Sequence, residues 1–473
     1  MDAPFPPVVL VEFNELSPVL MDRFIEQGHL PNLRRMRDQS EVCISEAEEK
    51  SPDLDPWIQW VNVHTGVPYS QHGISRLSQG HKLRHKSVWN VVSDAGSPVW
   101  VCGSMNVQYD KGVRGSILPD PWATDLPPYP EELNPYFYFI QRNVLEYTNE
   151  RVPLTKSDYL KFATFMLRHG LSFKTVEATI RQLVSEKRTG RGRWRRAFIM
   201  DKLQFDMFSA IYRRLKPRFS TFFLNSTAHM QHCYWRHMEP ELFTVAPKSG
   251  EQLQYGTAIL QGYKEMDGLI GRLLNLVGDS AIVILATALS QQPCLLYEEK
   301  GGKQGYHVSD YDRLMAFAGV TCSYRCAAVM AEQFWIHLES ESDAEVVDAR
   351  LRTLRFGEKR VIKTRRDGSS VFASCPITEA VNSDAVVHIA GTEQTTPFFN
   401  LFYGLNMMKS GMHHPDGILW IRHMHRRHTV RPEKVPLVAI APTILDMLGL
   451  AKPEQMKGES LLTSPSESAV SAA

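Results

Sequence analysis

The chain has almost no net charge: its 473 residues carry 53 Lys and Arg against 52 Asp and Glu, a formal charge of +1. Such a balance provides no global pull toward nucleic acid or an acidic membrane. No run of about 18 apolar residues occurs, so no membrane-spanning helix is expected. The seven cysteines (Cys43, Cys102, Cys233, Cys294, Cys322, Cys326 and Cys375) are odd in number, scattered, and include no Cys-x-x-Cys pair. A disulfide framework is therefore not expected. The opening residues, MDAPFPPVVLVEF, lack the basic and long apolar regions of a secretory leader, and a reducing, cytoplasmic location is expected. There is no internal repeat, and Gly (29) and Pro (28) stand near average usage, which excludes collagen-like and low-complexity chains. What is present is apolar surface: 43% of residues are hydrophobic and 10% aromatic, enough for a packed core. At this length the expectation is two or three domains, or one large α/β domain with insertions.

The run Val8-Val9-Leu10-Val11 is short, apolar and β-branched, and ends in the polar cluster Glu12 to Ser17. It reads as a fully buried parallel strand with its loop at the carboxyl end of the sheet. A helix-like stretch follows Pro18; Ser87 to Val92 reads as helix and Val99-Trp100-Val101 as the next strand. Residues 119–135 are rich in Pro and aromatics and read as irregular, and from Lys156 to Leu215 helical periodicity dominates, broken by the basic turn Arg188 to Arg193. Thr221 to Leu224 and Ala281 to Leu285 read as strands, and Tyr255 to Leu276 as a long amphipathic helix between them. Gly417 to Ile421 and Pro442 to Leu448 read as a last strand and helix. The expected division is a core over 1–118, 216–319 and 397–462, a helical insertion over 119–215, a small α/β insertion over 320–396, and a disordered tail over 463–473.

Several segments, taken in order, resemble the alkaline phosphatase superfamily, specifically its type I phosphodiesterase/nucleotide pyrophosphatase branch. They are the first strand with its polar loop, Leu30-Pro31-Asn32-Leu33, Thr65-Gly66, His72-Gly73-Ile74, Gln231-His232 with Trp235, His414-Pro415-Asp416-Gly417, and Ala441-Pro442-Thr443-Ile444-Leu445-Asp446. The resemblance spans nearly the whole chain. It implies a mostly parallel central sheet flanked by helices, with the site at the carboxyl ends of the strands. It also implies two metal ions about 4 Å apart and a Thr or Ser nucleophile. The matched positions depart from that pattern. The first-strand Asp falls on Asn14, the nucleophile on Pro56, the Asp of the Asp-x-x-x-His element on Ala228, and the later Asp-His pair on Ala288-Leu289; His232 and His414 are kept. A two-metal site of the usual kind is not expected, and no cofactor beyond at most one divalent ion, held by His229, His232 and His414.

Asp55 adjoins the vacated nucleophile position, and Glu12 and Glu15 crowd the first-strand loop. Facing carboxylates, with His232 and His414, provide acid and base without a metal. The competing reading is that Asp55 merely caps the following helix. Asn14, His229 and Arg426 are candidate substrate contacts. Trp57 and Trp60 offer flat faces for a sugar or base, although Trp is more often core. The expected function is a hydrolase-like enzyme with a metal-poor site acting on a phosphorylated or glycosidic metabolite. Two alternatives remain open: an inactive relative serving as a ligand-binding or scaffold protein, and a metal-dependent phosphodiesterase with unrecognised ligands. The expected partner is a small sugar- or phosphate-containing molecule, with no nucleic acid, no membrane span and no oligomeric state specified.

Overall fold

The computed structural model describes the chain except for residues 1–4, 125, 149–153, 330, 406–407, 424–426 and 463–473. The centre is a nine-stranded sheet. Its strands include β1 (Val8–Phe13), β2 (Ser40–Glu46), β3 (Val99–Cys102), β4 (Gly115–Leu118), β5 (Phe219–Leu224) and β6 (Ile282–Ala286). In space they run Thr429–Val430, β2, Asp416–Arg422, β6, β1, β5, β3, β4, with Val435–Pro436 beside β2. The three strands expected to share one parallel sheet do so: β1 pairs in parallel with β5 on one side and β6 on the other. Strand Asp416–Arg422 runs antiparallel to both of its neighbours.

Burial on both faces explains the unbroken apolar reading of β1. Alternation sends Val9, Val11 and Phe13 into one core layer and Val8 and Leu10 into the other. The first layer is covered by α1 (Pro18–Glu26), α2 (Pro31–Arg37), α10 (Ser226–Met238) and α12 (Ala258–Val277). The second is covered by α3 (Pro56–Thr65), α5 (Val88–Asp94) and helix Ile440–Met447. Between β4 and β5 stand α6 (Asn134–Thr148), α7 (Lys156–Arg168), α8 (Phe173–Thr189) and α9 (Arg196–Leu215). A further unit with its own core carries the antiparallel sheet Lys363–Asp367, Ser370–Ser374, Gln333–Leu338, Tyr324–Ala328. That core draws in Tyr306 and Phe402, so the unit reaches beyond 320–396 on both sides. This is the α/β architecture implied by the resemblance: a mostly parallel sheet, helices on both faces, and two insertions. Among the described residues no disulfide is formed.

The chain leaves α3 through Gly66, at φ +62°, and makes one more helical turn, α4 (Tyr69–His72), closed by Gly73 at φ +65°. His72 holds this turn. Its Nε2–H donates to Asn62 Oδ1 at 2.8 Å and its Nδ1 accepts the Ile74 N–H at 3.0 Å. Both ring nitrogens are thus satisfied in the neutral form, and a second proton has no place. Burial, assisted by His85, pushes the His72 imidazole from 6.5 down to about 4. The unfolded chain therefore takes up this proton first as pH falls, so stability is lost between the ordinary value and the depressed one. Acidification across that window should cost up to about 3 kcal/mol through this residue. Urea unfolding as a function of pH should show His72→Gln with a shallower acid limb than the parent; an unchanged limb would sink the assignment.

Candidate functional site

The site forms at the carboxyl edge of the parallel strands, where β1, β5 and β6 end side by side. Asn14 N–H donates to Leu224 O at 3.0 Å and Glu15 N–H to Thr287 O at 3.4 Å, which ties the loop after β1 to the loops after both neighbours. Glu15 adopts φ +61°, an uncommon conformation for a residue with a side chain. Its carbonyl accepts Gln231 Nε2 at 2.7 Å, and Gln231 in turn accepts the Tyr263 hydroxyl at 2.8 Å. Asn14 is locked by three partners. Its Oδ1 accepts the indole N–H of Trp60 at 2.8 Å, and its Nδ2 donates to Glu15 Oε1 and to Asn225 Oδ1, both at 2.7 Å.

The other Glu15 oxygen, Oε2, is the point on which the cleft converges. Gln291, on β7 (Ser290–Pro293), donates to it at 2.5 Å. His232 Nε2, on α10, lies 3.0 Å away, and His413 Nε2, on strand Gly411–His414, lies 3.5 Å away. Each imidazole is oriented from behind: His232 Nδ1 meets Gly411 O at 3.0 Å and His413 Nδ1 meets Leu54 O at 2.7 Å. A carbonyl only accepts, so each Nδ1 carries the hydrogen and each Nε2 turns toward the carboxylate. Burial opposes ionisation of Glu15, but His413 and His232, with hydrogen bonds from His232 and Gln291, outweigh it and hold the carboxyl at about 2. Burial drives His413 down to about 4 against the pull of Glu15.

Asp55 completes the group. Its Oδ1 lies 3.4 Å from His413 Nδ1, and it stands at the N-cap position of α3 without a side-chain capping bond. Burial raises its carboxyl to about 7; Glu15 adds to the rise, while Lys409 and Arg76 oppose it. Arg76 also borders a cleft of about 260 Å³ shared with Arg365 and Trp335 of the smaller unit and with Lys82, which is paired with Asp367.

Other expected residues go elsewhere. His414, rather than His413, was the expected partner of His232, but its Nδ1 accepts the Asp416 N–H at 3.2 Å instead. His229 is half-buried on α10 with Cys233 Sγ 3.7 Å from its Nδ1. Glu12 is a residue of β1 and, by alternation, faces α3. There its Oε1 lies 2.6 Å from His64 Nε2 and its Oε2 accepts Ser104 Oγ at 2.6 Å, a buried structural pair. Trp57 and Trp60 are core: the Trp57 indole donates to Ser75 O at 3.1 Å and Trp60 stacks on His64. The candidate contact Arg426 follows strand Asp416–Arg422 in the chain. Because strand Asp416–Arg422 is antiparallel, Arg422 pairs with Val283 at the opposite edge and binds Asp279. Arg426 lies outside the described residues. Gln291, Gln231, Asn225, Lys409 and Arg76 were missed. Of these only Gln231, beside the matched His232, stood in a segment that carries the resemblance.

The two-metal arrangement does not fit these residues. Pro56 is the first residue of α3, Ala228 and Ala288 are buried apolar side chains, and Asn14 is consumed by hydrogen bonds, so the charge of two dications has no counterpart here. For one ion the donors that come together are a Glu15 oxygen and ring nitrogens of His232 and His413, all within 4.8 Å of one another, not those of His229 and His414. Two imidazoles and one carboxylate are a donor set that suits zinc or ferrous iron.

Since Asp55 makes no capping bond and burial raises its carboxyl, Asp55→Ala should not lower the unfolding free energy at neutral pH. Loss of a working cap costs about 1 kcal/mol. A loss of that size in chemical denaturation would restore the capping role.

No family model matches the chain, and no curated protein matches it. Among solved structures it is similar to the phosphonoacetate hydrolase of Sinorhizobium meliloti 1021. In complex with phosphonoformate that structure shares 13% identity at a TM-score of 0.43, over 94% of this chain and 96% of that chain. In complex with phosphonoacetate the values are 12% and 0.44 over the same shares.

Proposed function

We propose that the chain is a hydrolase-like enzyme whose metal-poor centre is built on Glu15, Asp55, His232 and His413, and that its substrate is a phosphorylated or glycosidic metabolite. The observation that carries this reading is the convergence of two carboxylates and two oriented imidazoles, from four separate segments, at the carboxyl edge of the parallel strands. Open α/β sheets place their ligands at that edge. A merely structural network has no need to aim both Nε2 atoms at one carboxylate oxygen.

The roles follow from how fully each group is engaged. Glu15 is held on both oxygens, so it fixes the negative charge of the centre and the orientation of the two rings. Asp55 has His413 beside it and makes no capping bond to α3, which leaves its carboxyl able to exchange a proton with a bound substrate or an attacking water. Arg76 and Lys409 supply positive charge for an anionic substrate group. In hydrolysis the water oxygen bonds to phosphorus or to the anomeric carbon, the ester or glycosidic bond breaks, and the water's proton ends on the leaving oxygen. At most one divalent ion belongs to this proposal, between Glu15, His232 and His413, and its contribution would be to polarise the substrate.

Turnover of sugar phosphates, phosphodiesters and aryl glycosides is the direct test. Asp55→Asn and Glu15→Gln should each lower kcat/KM by about a hundredfold or more while the fold is retained. A parent protein that binds such ligands without turning any over would instead establish the inactive relative. Elemental analysis after expression in metal-replete medium should find no more than one zinc, manganese or iron per chain, lost in His232→Ala. Two tightly bound ions with chelator-sensitive diesterase activity would overturn the metal-poor centre.

A further inference from the structure

The near-zero charge of the whole chain conceals a segregation. Residues 156–196, which contain α7 and α8, hold 11 Lys and Arg against 3 Asp and Glu, leaving 42 against 49 on the rest of the chain. The three acids are already paired: Asp158 with Arg142, Glu177 with Arg181 and Glu186 with Arg196. The segment is thus strongly cationic on a body that is otherwise acidic.

The same segment exposes apolar side chains in a helical pattern. α8 is seventeen residues long and buries a single side chain, Thr175. Phe173, Val176, Ile180 and Val184 recur at spacings of three and four, which sets them on one face. Phe173 is 82%, Ile180 58% and Val184 42% exposed. These side chains line an open groove of about 470 Å³ together with Arg181 and Arg188. On α7, Leu160 and Leu167 are likewise exposed, at 69% and 72%. Lone apolar residues on a surface need no explanation, but an amphipathic helix with its apolar stripe in water does.

We propose that α8 docks the protein peripherally on an anionic lipid surface, lying in the plane of the interface. The stripe from Phe173 to Val184 enters the acyl boundary, while Lys174, Lys187, Arg188 and Arg191 reach the headgroup phosphates. The charge selects this occupant over the others. A second copy on the same face would bring one cationic segment against another. A nucleic acid would neutralise the cations but leave Phe173, Ile180 and Val184 in water. No helix among the described residues is long and apolar enough to cross a membrane, which fits a docked rather than a spanning segment.

The test is co-sedimentation of the full-length chain with phosphatidylcholine vesicles, with and without phosphatidylglycerol, at low and high salt. Binding should be at least about tenfold stronger to the anionic vesicles and should fall as salt rises. Two exposed-site variants separate the contributions: Ile180→Ser with Val184→Ser, and Lys187→Glu with Arg188→Glu. Each pair should lose at least about tenfold in vesicle binding with an unchanged thermal midpoint, because none of the four side chains is buried. Equal binding to neutral and anionic vesicles, or none to either, would overturn the proposal. So would binding lost in the charge pair but kept in the apolar pair, which describes a general polyanion surface. A concentration-dependent dimer abolished by the apolar pair, without vesicle binding, would assign the face to a second copy and would equally overturn it.

Discussion

The loop after β1 depends on the carboxylate of Glu15. Its backbone is bonded to the loop after β6 through Thr287 and to α10 through Gln231, and its side chain binds Asn14, Gln291 and two imidazoles. A buried carboxylate is costly unless its acceptor sites are filled. Here Asn14 and Gln291 donate one to each oxygen and two imidazoles flank the group, so the residue that carries the negative charge of the cleft also fixes the positions of its neighbours. The left-handed backbone at Glu15 is part of the same arrangement, because it turns the side chain across the strand ends instead of along β1.

Glu12 and Glu15 illustrate how three positions along one chain separate two fates. Glu12 still belongs to the strand, and the two-residue period commits it to the α3 side, where His64 and Ser104 satisfy it. Glu15 lies beyond the strand and escapes that alternation. Asp55 shows a third outcome. It begins a helix, yet its carboxyl is drawn toward His413 while the helix start relies on Pro56, whose missing N–H needs no cap.

Charge is organised at a larger scale as well. The cleft collects carboxylates and imidazoles with Arg76 and Lys409 at its margin, whereas the helical insertion gathers the cations of residues 156–196 beside exposed apolar side chains. Neither feature is visible in the overall charge of +1, which is an average over a body and an insertion of opposite sign.

The central strands were legible in the chain itself, because a β-branched run such as Val8 to Val11 admits little but a strand buried on both faces. The same residues raised the expectation that no two-metal centre forms, since the side chains of proline and alanine carry no ligand atom. Helix α8 and the helices around it were legible from their period, Asp55 and Glu15 from their place in loops at the sheet edge, and His232 from the matched Gln231-His232 segment. Direction, by contrast, came from the assembled sheet. Two adjacent histidines at the end of a strand point to opposite sides, so His413 and not His414 meets Glu15, and nothing in the local sequence distinguishes them. The antiparallel course of Asp416–Arg422 carried Arg422 to the far edge of the sheet, because strand order and sense are set by pairing with β2 and β6 rather than by the strand's own residues. The long-range partners of Glu15, Gln291 above all, became apparent only when segments more than two hundred residues apart in the chain were brought to one edge.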